Sequence, residues 1–541
     1  MTNIIFSRKE FEKHIKLTPE IQEKITLFGT PLESINQESI EIEVFANRPD
    51  LTSLYGFIRS FKAFLGKETG LKNYKINKPE KDYKIYIDKS VKDVRPYTAC
   101  AIIKGLNFND EEIKDIINMQ EKLAITLGRN RKKMAIGIYP LDKIKLPLTY
   151  IAKNPSEIKY HPLGSNRELS AKEILLLHPT GKKYEHLLAN HSKYPLFIDS
   201  NKEILSMPPI VNSEKTGRID LSTKEVFIEC SGTDKRVLEK TLVIICAAMA
   251  EMGGKIYQME LIDKEKTITP DFTPQKMKLS IESTNRLLGL SLTETQVSQL
   301  LARMGHNYKA SVAEIAPWRT DMLHEVDLIE DIAIAYGYNN FIDKIPNIST
   351  PGEESKESIF KRKISEALVG LGMLELSSYH LIKLEEKEKY ASKEAIELEN
   401  SKTEYKFLRP NLLIPLLRII AENKNAEYPQ KLFEIGRVFA LNNQKETAVG
   451  EKDNLIIALT PSNFTECKQH LDYLFSSIQC EYTLKEVSYP NMIDGRTGAI
   501  IVNNKTIGYI GEVHPNCLKS AGAKMPLAVA EISLEEIYKL L

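Results

Sequence analysis

The chain has 541 residues, 27% of them charged and 42% hydrophobic, with a formal net charge of +1. That length exceeds what one hydrophobic core serves, so three or four domains are expected, with the ordinary composition of a soluble protein. A charge so close to zero gives no global field for a polyanion, and contact with a nucleic acid must then be local or shared with a partner.

The N-terminal MTNIIFSRKEFEKH has no apolar stretch of the kind a secretion signal needs, so none is expected. Residues 1 to about 90 read as a small α+β unit. Ile40 to Val44 alternates as a strand, Asn47-Arg48-Pro49-Asp50 forms a turn, and Leu51 to Phe64 reads as a helix stopped by Gly66. The bland reading of NRPD is a structural strand-to-helix corner.

Residues about 91 to 268 mix strands with two long helices, Glu111 to Leu127 and Asp234 to Met252. Two loops between them gather small polar groups. One runs from Ser206 to Asn212, Ser213 and Glu214; the other joins Glu229, Ser231, Thr233 and Asp234. The second ends at a helix N-terminus, which suits an anion or an ester carbonyl, or plain capping by Thr233 and Asp234. The longest apolar run, Leu242 to Ala250, falls far short of the roughly 20 residues that cross a bilayer.

Residues about 269 to 347 are compact. Ser291 and Glu294 have capping-box spacing, Gly305 closes the helix that follows, and Val312 to Trp318 reads as a strand. The strand–helix–helix–strand–helix order could pass for a nucleic-acid-binding module, but no Arg/Lys stripe supports it. An acidic helix comes next, with Thr320-Asp321 read as its start. Asp327, Glu330 and Asp331 stand at i, i+3 and i+4, so their carboxylates share a face, and a loop could fold Asp321 toward them. Like charges so placed repel unless water, a base or a hard cation such as Mg²⁺ screens them. The alternative is a capped helix with a solvated acidic face.

From about 348 to 541 a helix through Phe360, Ile364, Leu368 and Leu371 stops at Gly372, and strands then alternate with helices. Lys431 to Phe439 reads as a strand with a turn, and Thr506 to His514 as another strand.

Several familiar chemistries are missing: no GxxxxGK[ST] loop, no HExxH, no GxSxG elbow and no class I synthetase tetrapeptides. The six cysteines form no CxxC pair, which argues against zinc and disulfides and suits a reducing cytoplasm. His178, His186 and His191 lie in one region without an acidic partner at helical spacing, so no nucleophile–base pair is readable.

Seven segments, in order and spread over nearly the whole chain, carry a resemblance. They are FANRPDLTSLYGFIRSFKAFLG (45–66), LSMPPIVNSEKTGRI (205–219), IECSGTD (228–234), IAPWRTDMLHEVDLIEDIAIAYGYN (315–339), LRPNLLIPLLRIIAENKN (408–425), LFEIGRVF (432–439) and IGYIGEVHP (507–515). Together they resemble the β subunit of phenylalanyl-tRNA synthetase in its shorter archaeal and eukaryotic form.

The resemblance implies a multi-domain α+β fold. Its parts are a small N-terminal domain (1–90), an editing-type domain (91–268), a small Mg²⁺-binding domain (269–347) and a C-terminal class II synthetase-like antiparallel sheet with helices (348–541). It implies a cytoplasmic (αβ)₂ heterotetramer that joins phenylalanine to its tRNA with ATP and Mg²⁺. The α subunit would carry the aminoacylation site and bind ATP and phenylalanine, so no residue of this chain is catalytic in that step. The C-terminal module would have lost the ATP chemistry and serve packing against α. Proofreading is implied as well, because an apolar pocket rejects tyrosine's added hydroxyl only by about 10²-fold. By position the editing candidates are Ser206, Asn212, Glu214, Ser231 and Thr233. Asn212 or Glu214 would recognise the tyrosine hydroxyl, and the loop from Ser231 to Thr233 would hold the ester and its water. Related chains often have Thr where this one has Ser231. The resemblance assigns Mg²⁺ to Asp321, Asp327, Glu330 and Asp331, as a structural or interfacial ion, and leaves Glu325 solvated. Two bacterial additions are expected to be missing: an oligonucleotide-binding-type insertion near the N-terminus and a ferredoxin-like anticodon domain after Leu541. The competing readings are an assembly subunit without editing activity, and a free-standing metal-dependent hydrolase or tRNA-binding protein.

Overall fold

The computed structural model describes residues 2–391 and 395–540. The chain divides into two compact units, Met1–Ile345 and Pro346–Leu541, and the mixture of helices and sheets makes it a multi-domain α/β protein.

The first unit opens on a three-stranded antiparallel sheet in which Ser39–Val44 lies between Thr2–Ser7 and Leu32–Ile35. The helix Leu54–Phe64 covers it, and Phe6, Phe28, Phe57, Phe61 and Phe64 pack into one buried aromatic cluster. This helix starts later than Leu51. Pro49–Leu51 forms a separate 3₁₀ turn, and Ser53 caps the α-helix by accepting from the Gly56 amide. The NRPD corner is held by Arg48, whose guanidinium grips Asp50 through two 2.9 Å bonds. Burial opposes ionisation of Asp50, but Arg48 outweighs it and lowers the pKa.

A large mixed sheet follows. From one edge its strands run Val211–Asn212, Ile204–Met207, Tyr194–Ile198, Leu148–Lys153, Lys84–Ile87, Lys255–Ile262, Tyr97–Lys104, Glu225–Gly232 and Met134–Pro140. Ile76–Asn77 also pairs with Lys255–Ile262, so this sheet draws in residues before position 91. Lys235–Glu251, capped by Asp234, and Asp110–Ile125, capped by Asn109 and Glu112, cover one face. The sheet curls around a second core in which Tyr139 stacks on Phe227 and Tyr150 on Phe197. The curl is tight enough for its two edge strands to meet, and the Tyr139 hydroxyl on one donates to Asn212 Oδ1 on the other at 3.2 Å.

The unit ends in a three-stranded sheet of Gln275–Lys278, Val312–Ile315 and Asn307–Lys309, packed with the helices Ile281–Leu288, Glu294–Arg303 and Glu325–Tyr336. Two sequence-based helix starts shift. The box that forms is Thr293–Gln296 rather than Ser291–Glu294, because Asn285 holds the Leu292 amide and carbonyl and keeps that residue outside the helix. The acidic helix begins at Glu325 with His324 as its cap, so Asp321 lies in the preceding loop.

The second unit is built on a seven-stranded sheet in the order Leu374–Glu375, Gln430–Leu441, Val449–Thr460, Ala528–Ser533, Lys505–Val513, Met492–Val502, Thr483–Glu486. Only the short first strand pairs in parallel. Helices Lys356–Gly370 and Phe464–Ser477 share one buried core with the sheet, and Leu413–Glu422 and Pro515–Ala521 share another. Gln430–Leu441 is one continuous strand, without the turn expected within Lys431 to Phe439. Gly436 is needed for room instead: a Cβ there would sit 2.5 Å from Arg409 Nη2. No helix among the described residues is long and apolar enough to cross a membrane.

Candidate functional site

The seam where the curled sheet meets itself contains a cavity of about 440 Å³. Ile136, Ile138, Ile210, Val211 and Ile219 give it apolar walls, and Asn212 and Glu229 form its polar end. Glu229 is the one acid inside the otherwise apolar run VFIECSG, on a strand flanked by both neighbours. It stands opposite Gly137, where a Cβ would come within 2.6 Å of its Oε1. Gly137 and Tyr139 are two residues apart, so they point to the same face of the sheet as Glu229. The Tyr139 hydroxyl is thus within reach of both Asn212 Oδ1, at 3.2 Å, and Glu229 Oε1, at 3.3 Å.

Glu229 is only 2% exposed. Burial pushes its carboxyl up to about 8, against the opposing influence of Ser231, Arg95 and Tyr139. At neutral pH it is therefore mostly a neutral acid able to donate as well as accept. Its Oε2, Ser206 Oγ and Ser231 Oγ are buried without a well-formed hydrogen bond. Buried polar atoms left unpaired cost free energy, and of these three residues Glu229 lines the cavity while Ser206 and Ser231 are not among its lining residues.

Of the five sequence candidates, Asn212 lines the cavity. Ser206 pairs across the sheet with Asn212, and Ser231 lies two residues from Glu229 on the same strand face. Glu214 turns away, accepting from the Gly164 amide and pairing with Arg218. Thr233 donates to the Lys132 carbonyl and lines a different cavity. Sequence reasoning does not reach Glu229, Tyr139 and Gly137 as site residues. The available signal was an acid in mid-strand between buried apolar neighbours. His178 lines the pocket, with Nδ1 against Thr180 Oγ1 and Nε2 against the Leu163 carbonyl. Both ring nitrogens are thus engaged, so it is not a free base.

The four acidic candidates line another cavity in the same unit, about 280 Å³ in volume. Arg319 dominates it. Its guanidinium makes paired bonds to Asp321, at 2.9 and 2.8 Å, and to Asp331, at 2.7 and 3.0 Å. His306 Nδ1 accepts from the Ala316 amide, which leaves Nε2 to donate to Asp331 at 3.0 Å. Burial opposes ionisation of Asp331, yet Arg319 and His306 outweigh it and hold the carboxyl well below the usual range. Asp327 Oδ2 accepts from the Leu323 and His324 amides, and Glu330 Oε1 from the Tyr338 hydroxyl. Among the described residues, each of these two keeps one oxygen without a protein donor.

Among the described residues no three or more His, Cys, Asp or Glu side chains are gathered tightly enough to hold a metal ion. Arg319 stands between Asp321 and Asp331 and occupies oxygens of both. The donor chemistry still suits Mg²⁺, which takes carboxylate oxygens and keeps several waters. Four carboxylates and the two guanidiniums of Arg319 and Arg48 line the cavity, which leaves an excess of negative charge, and Asp327 and Glu330 have the open oxygens.

Comparison with known proteins places these features. Residues 277–338 match the family model described as the tRNA synthetase B5 domain, and residues 343–534 match the phenylalanyl tRNA synthetase beta chain CLM domain. The phenylalanine-tRNA ligase beta subunit of Thermococcus sibiricus is 37% identical over 504 residues, covering 91% of this chain and 90% of its own. The chain belongs to the phenylalanine-tRNA ligase beta subunit family. It is therefore part of an aminoacyl-tRNA synthetase. The beta subunit of Thermococcus kodakarensis is 36% identical, with 98% of both chains covered, and that of Methanococcus aeolicus is 34% identical, covering 99% of this chain and all of its own. A crystal structure of an N-terminal fragment of the beta subunit from Pyrococcus horikoshii matches with a TM-score of 0.59 at 35% identity. It covers 62% of this chain and 99% of the fragment.

Proposed function

We propose that this beta subunit supports ATP-dependent attachment of phenylalanine to its tRNA by an α subunit, and that its Glu229 pocket hydrolyses mischarged tyrosyl-tRNA. The observation that carries the second part is Tyr139. Its phenol is already held by Asn212 and Glu229, so the polar end of the pocket is chemically suited to a phenolic hydroxyl. A tyrosyl ring would lie between the isoleucine walls with its hydroxyl at that end. A phenylalanyl ring would bring no hydroxyl to that end and would leave Glu229 Oε2 without a partner. A site built to hydrogen-bond a hydroxyl discriminates against its absence by up to about 10⁴–10⁵-fold.

In the reaction, water adds to the ester carbonyl carbon and the bond to the terminal ribose oxygen breaks. That oxygen takes a proton, and tyrosine and uncharged tRNA leave. With His178 engaged at both nitrogens, the pocket's residues orient the ester and its water rather than remove a proton. Asn212 and Glu229, which line the cavity, are the groups placed to do so.

In this reading residues 1–90, 91–268, 269–347 and 348–541 are the N-terminal, editing, Mg²⁺-binding and class II-like parts of a cytoplasmic (αβ)₂ heterotetramer. Mg²⁺ would be held by Asp327 and Glu330, with Asp321 and Asp331 behind them, and would steady that domain. The C-terminal sheet would pack against α and not clamp ATP. Its buried Arg409 supports this, being bonded to Glu434, Ser378 and the Arg437 carbonyl. The test is hydrolysis of tyrosyl-tRNA by the assembled enzyme. Wild type should exceed the uncatalysed rate, and Asn212→Ala should lose about 10²-fold, as for one lost preorganised donor or acceptor. Wild-type hydrolysis at the uncatalysed rate would overturn the editing role and leave an assembly subunit.

A further inference from the structure

The loop at 128–133 borders two cavities. Arg131 lines the Glu229 pocket and donates to the Pro209 and Ile210 carbonyls at 2.9 Å. Arg129, Lys132 and Lys133 line a second cavity of about 610 Å³, together with Tyr97, Lys235 and Arg236. Arg95, only 3% exposed, ties the two cavities by donating to the carbonyls of Arg131 and Ser231.

The charge of this second cavity stands out against the rest of the chain. Five cations line it and Asp234 is the only acid that does so, a formal excess of +4 in one cavity where the whole chain carries +1. Lys133 is neutralised by Asp234 at 2.8 Å, and Lys235 approaches Glu239 at 3.8 Å. Arg129, Lys132 and Arg236 are exposed, and among the described residues their side chains have no ion pair or hydrogen bond. Tyr97 stands beside them 42% exposed, on the strand residue that pairs with Gly232. Unpaired cations along a groove with an exposed aromatic ring are what a single-stranded RNA requires. The cations take the phosphates and the ring stacks a base.

We propose that this cavity binds the phosphodiester backbone of the single-stranded, aminoacylated end of the tRNA, which crosses the loop at 128–133 so that its terminal ester enters the Glu229 pocket. The inference rests on the editing reading for its direction, and on charge and position for the site itself. It also explains how a nearly neutral chain holds a polyanion.

The test compares wild type with the Arg129→Gln/Lys132→Gln/Arg236→Gln variant, each assembled with the α subunit. Three measurements are made: the Kd for uncharged tRNA across a salt series, the KM and kcat for tyrosyl-tRNA hydrolysis, and hydrolysis of 3′-tyrosyl-adenosine, which lacks the phosphates. Losing three phosphate contacts should raise Kd and KM by about tenfold at moderate salt. It should also flatten the slope of log Kd against log salt by about 2. The kcat and the tyrosyl-adenosine rate should stay within twofold, since the pocket is untouched. Tyr97→Ala should raise KM by about fivefold through lost stacking. An unchanged Kd and salt slope would overturn the proposal, and so would an equal loss on tyrosyl-adenosine. If wild type hydrolyses no tyrosyl-tRNA, the editing reading fails, while the tRNA Kd and its salt slope still decide this site.

Discussion

Two cavities in the first unit each hold a buried acid, and they resolve it in opposite ways. At Asp331 every charge is answered, because Arg319 supplies two bonds and His306 a third. At Glu229 one oxygen and two neighbouring hydroxyls are left unanswered, and the carboxyl responds by holding its proton to about 8. A satisfied network fixes a domain. An unsatisfied one is a standing cost that persists where something else is to be bound.

The largest expected effect tests the satisfied side. Arg319→Leu strands Asp321 and Asp331 in a buried setting and should destabilise the protein by about 3–5 kcal/mol, read as a drop in the thermal midpoint. A change below about 1 kcal/mol would mean that the network is not a structural anchor. Next comes the unsatisfied side. Glu229→Ala should slow tyrosyl-tRNA hydrolysis by about 10²-fold, with phenylalanyl-tRNA formation unchanged.

The two acids should also respond to pH with opposite signs. The folded pKa of Glu229 is raised from 4.5 to about 8, so its folded form keeps a proton that the unfolded chain loses. Stability from this group is then full below about 4.5 and declines as pH rises toward 8. Glu229→Gln should gain on wild type between pH 5 and 8 by on the order of a few kcal/mol, measured by hydrogen exchange of the Glu225–Gly232 strand. Asp331 is depressed below 3.8, so its contribution is present above that value and is lost as pH falls beneath it. The gap between wild type and Asp331→Asn should accordingly close in acid.

A finer test is Gly137→Ala. Its Cβ would press on Glu229 Oε1 and Tyr139, and hydrolysis should fall by about tenfold through misplacement. Full activity would show that the pocket adapts. The smallest effect is expected from Asp327→Ala, which should weaken the Mg²⁺ dependence of subunit assembly by about 1 kcal/mol or less, read from the midpoint of a Mg²⁺ titration. An unchanged midpoint would remove the ion from that face.

The architecture was largely legible in the sequence, because strand alternation and helix caps are local signals. The long helices at Asp110–Ile125 and Lys235–Glu251 lie within two residues of their expected bounds. What escaped was decided by distant partners. Ser291 and Thr293 both head a plausible capping box, and only Asn285 chooses between them. Thr320-Asp321 has the composition of a helix start, but Arg319 claims Asp321 first. Asn212 was legible as a small polar group in a loop, and the family resemblance made it a candidate. Glu229 was not, because its importance comes from facing Tyr139, 90 residues away in sequence. Thr233 and Glu214 lie close to Ser231 and Asn212 in the chain yet point elsewhere in space.

The hydrogen bond from Tyr139 to Asn212 also closes the curled sheet upon itself. The clasp of the sheet and the proposed recognition end of the pocket are thus the same atoms. A substrate hydroxyl that takes Asn212 must loosen the clasp, and one that is absent leaves it shut. On the proposed editing function, selectivity and mechanical closure would be one adjustable property, and a change designed to sharpen either would be felt in the other.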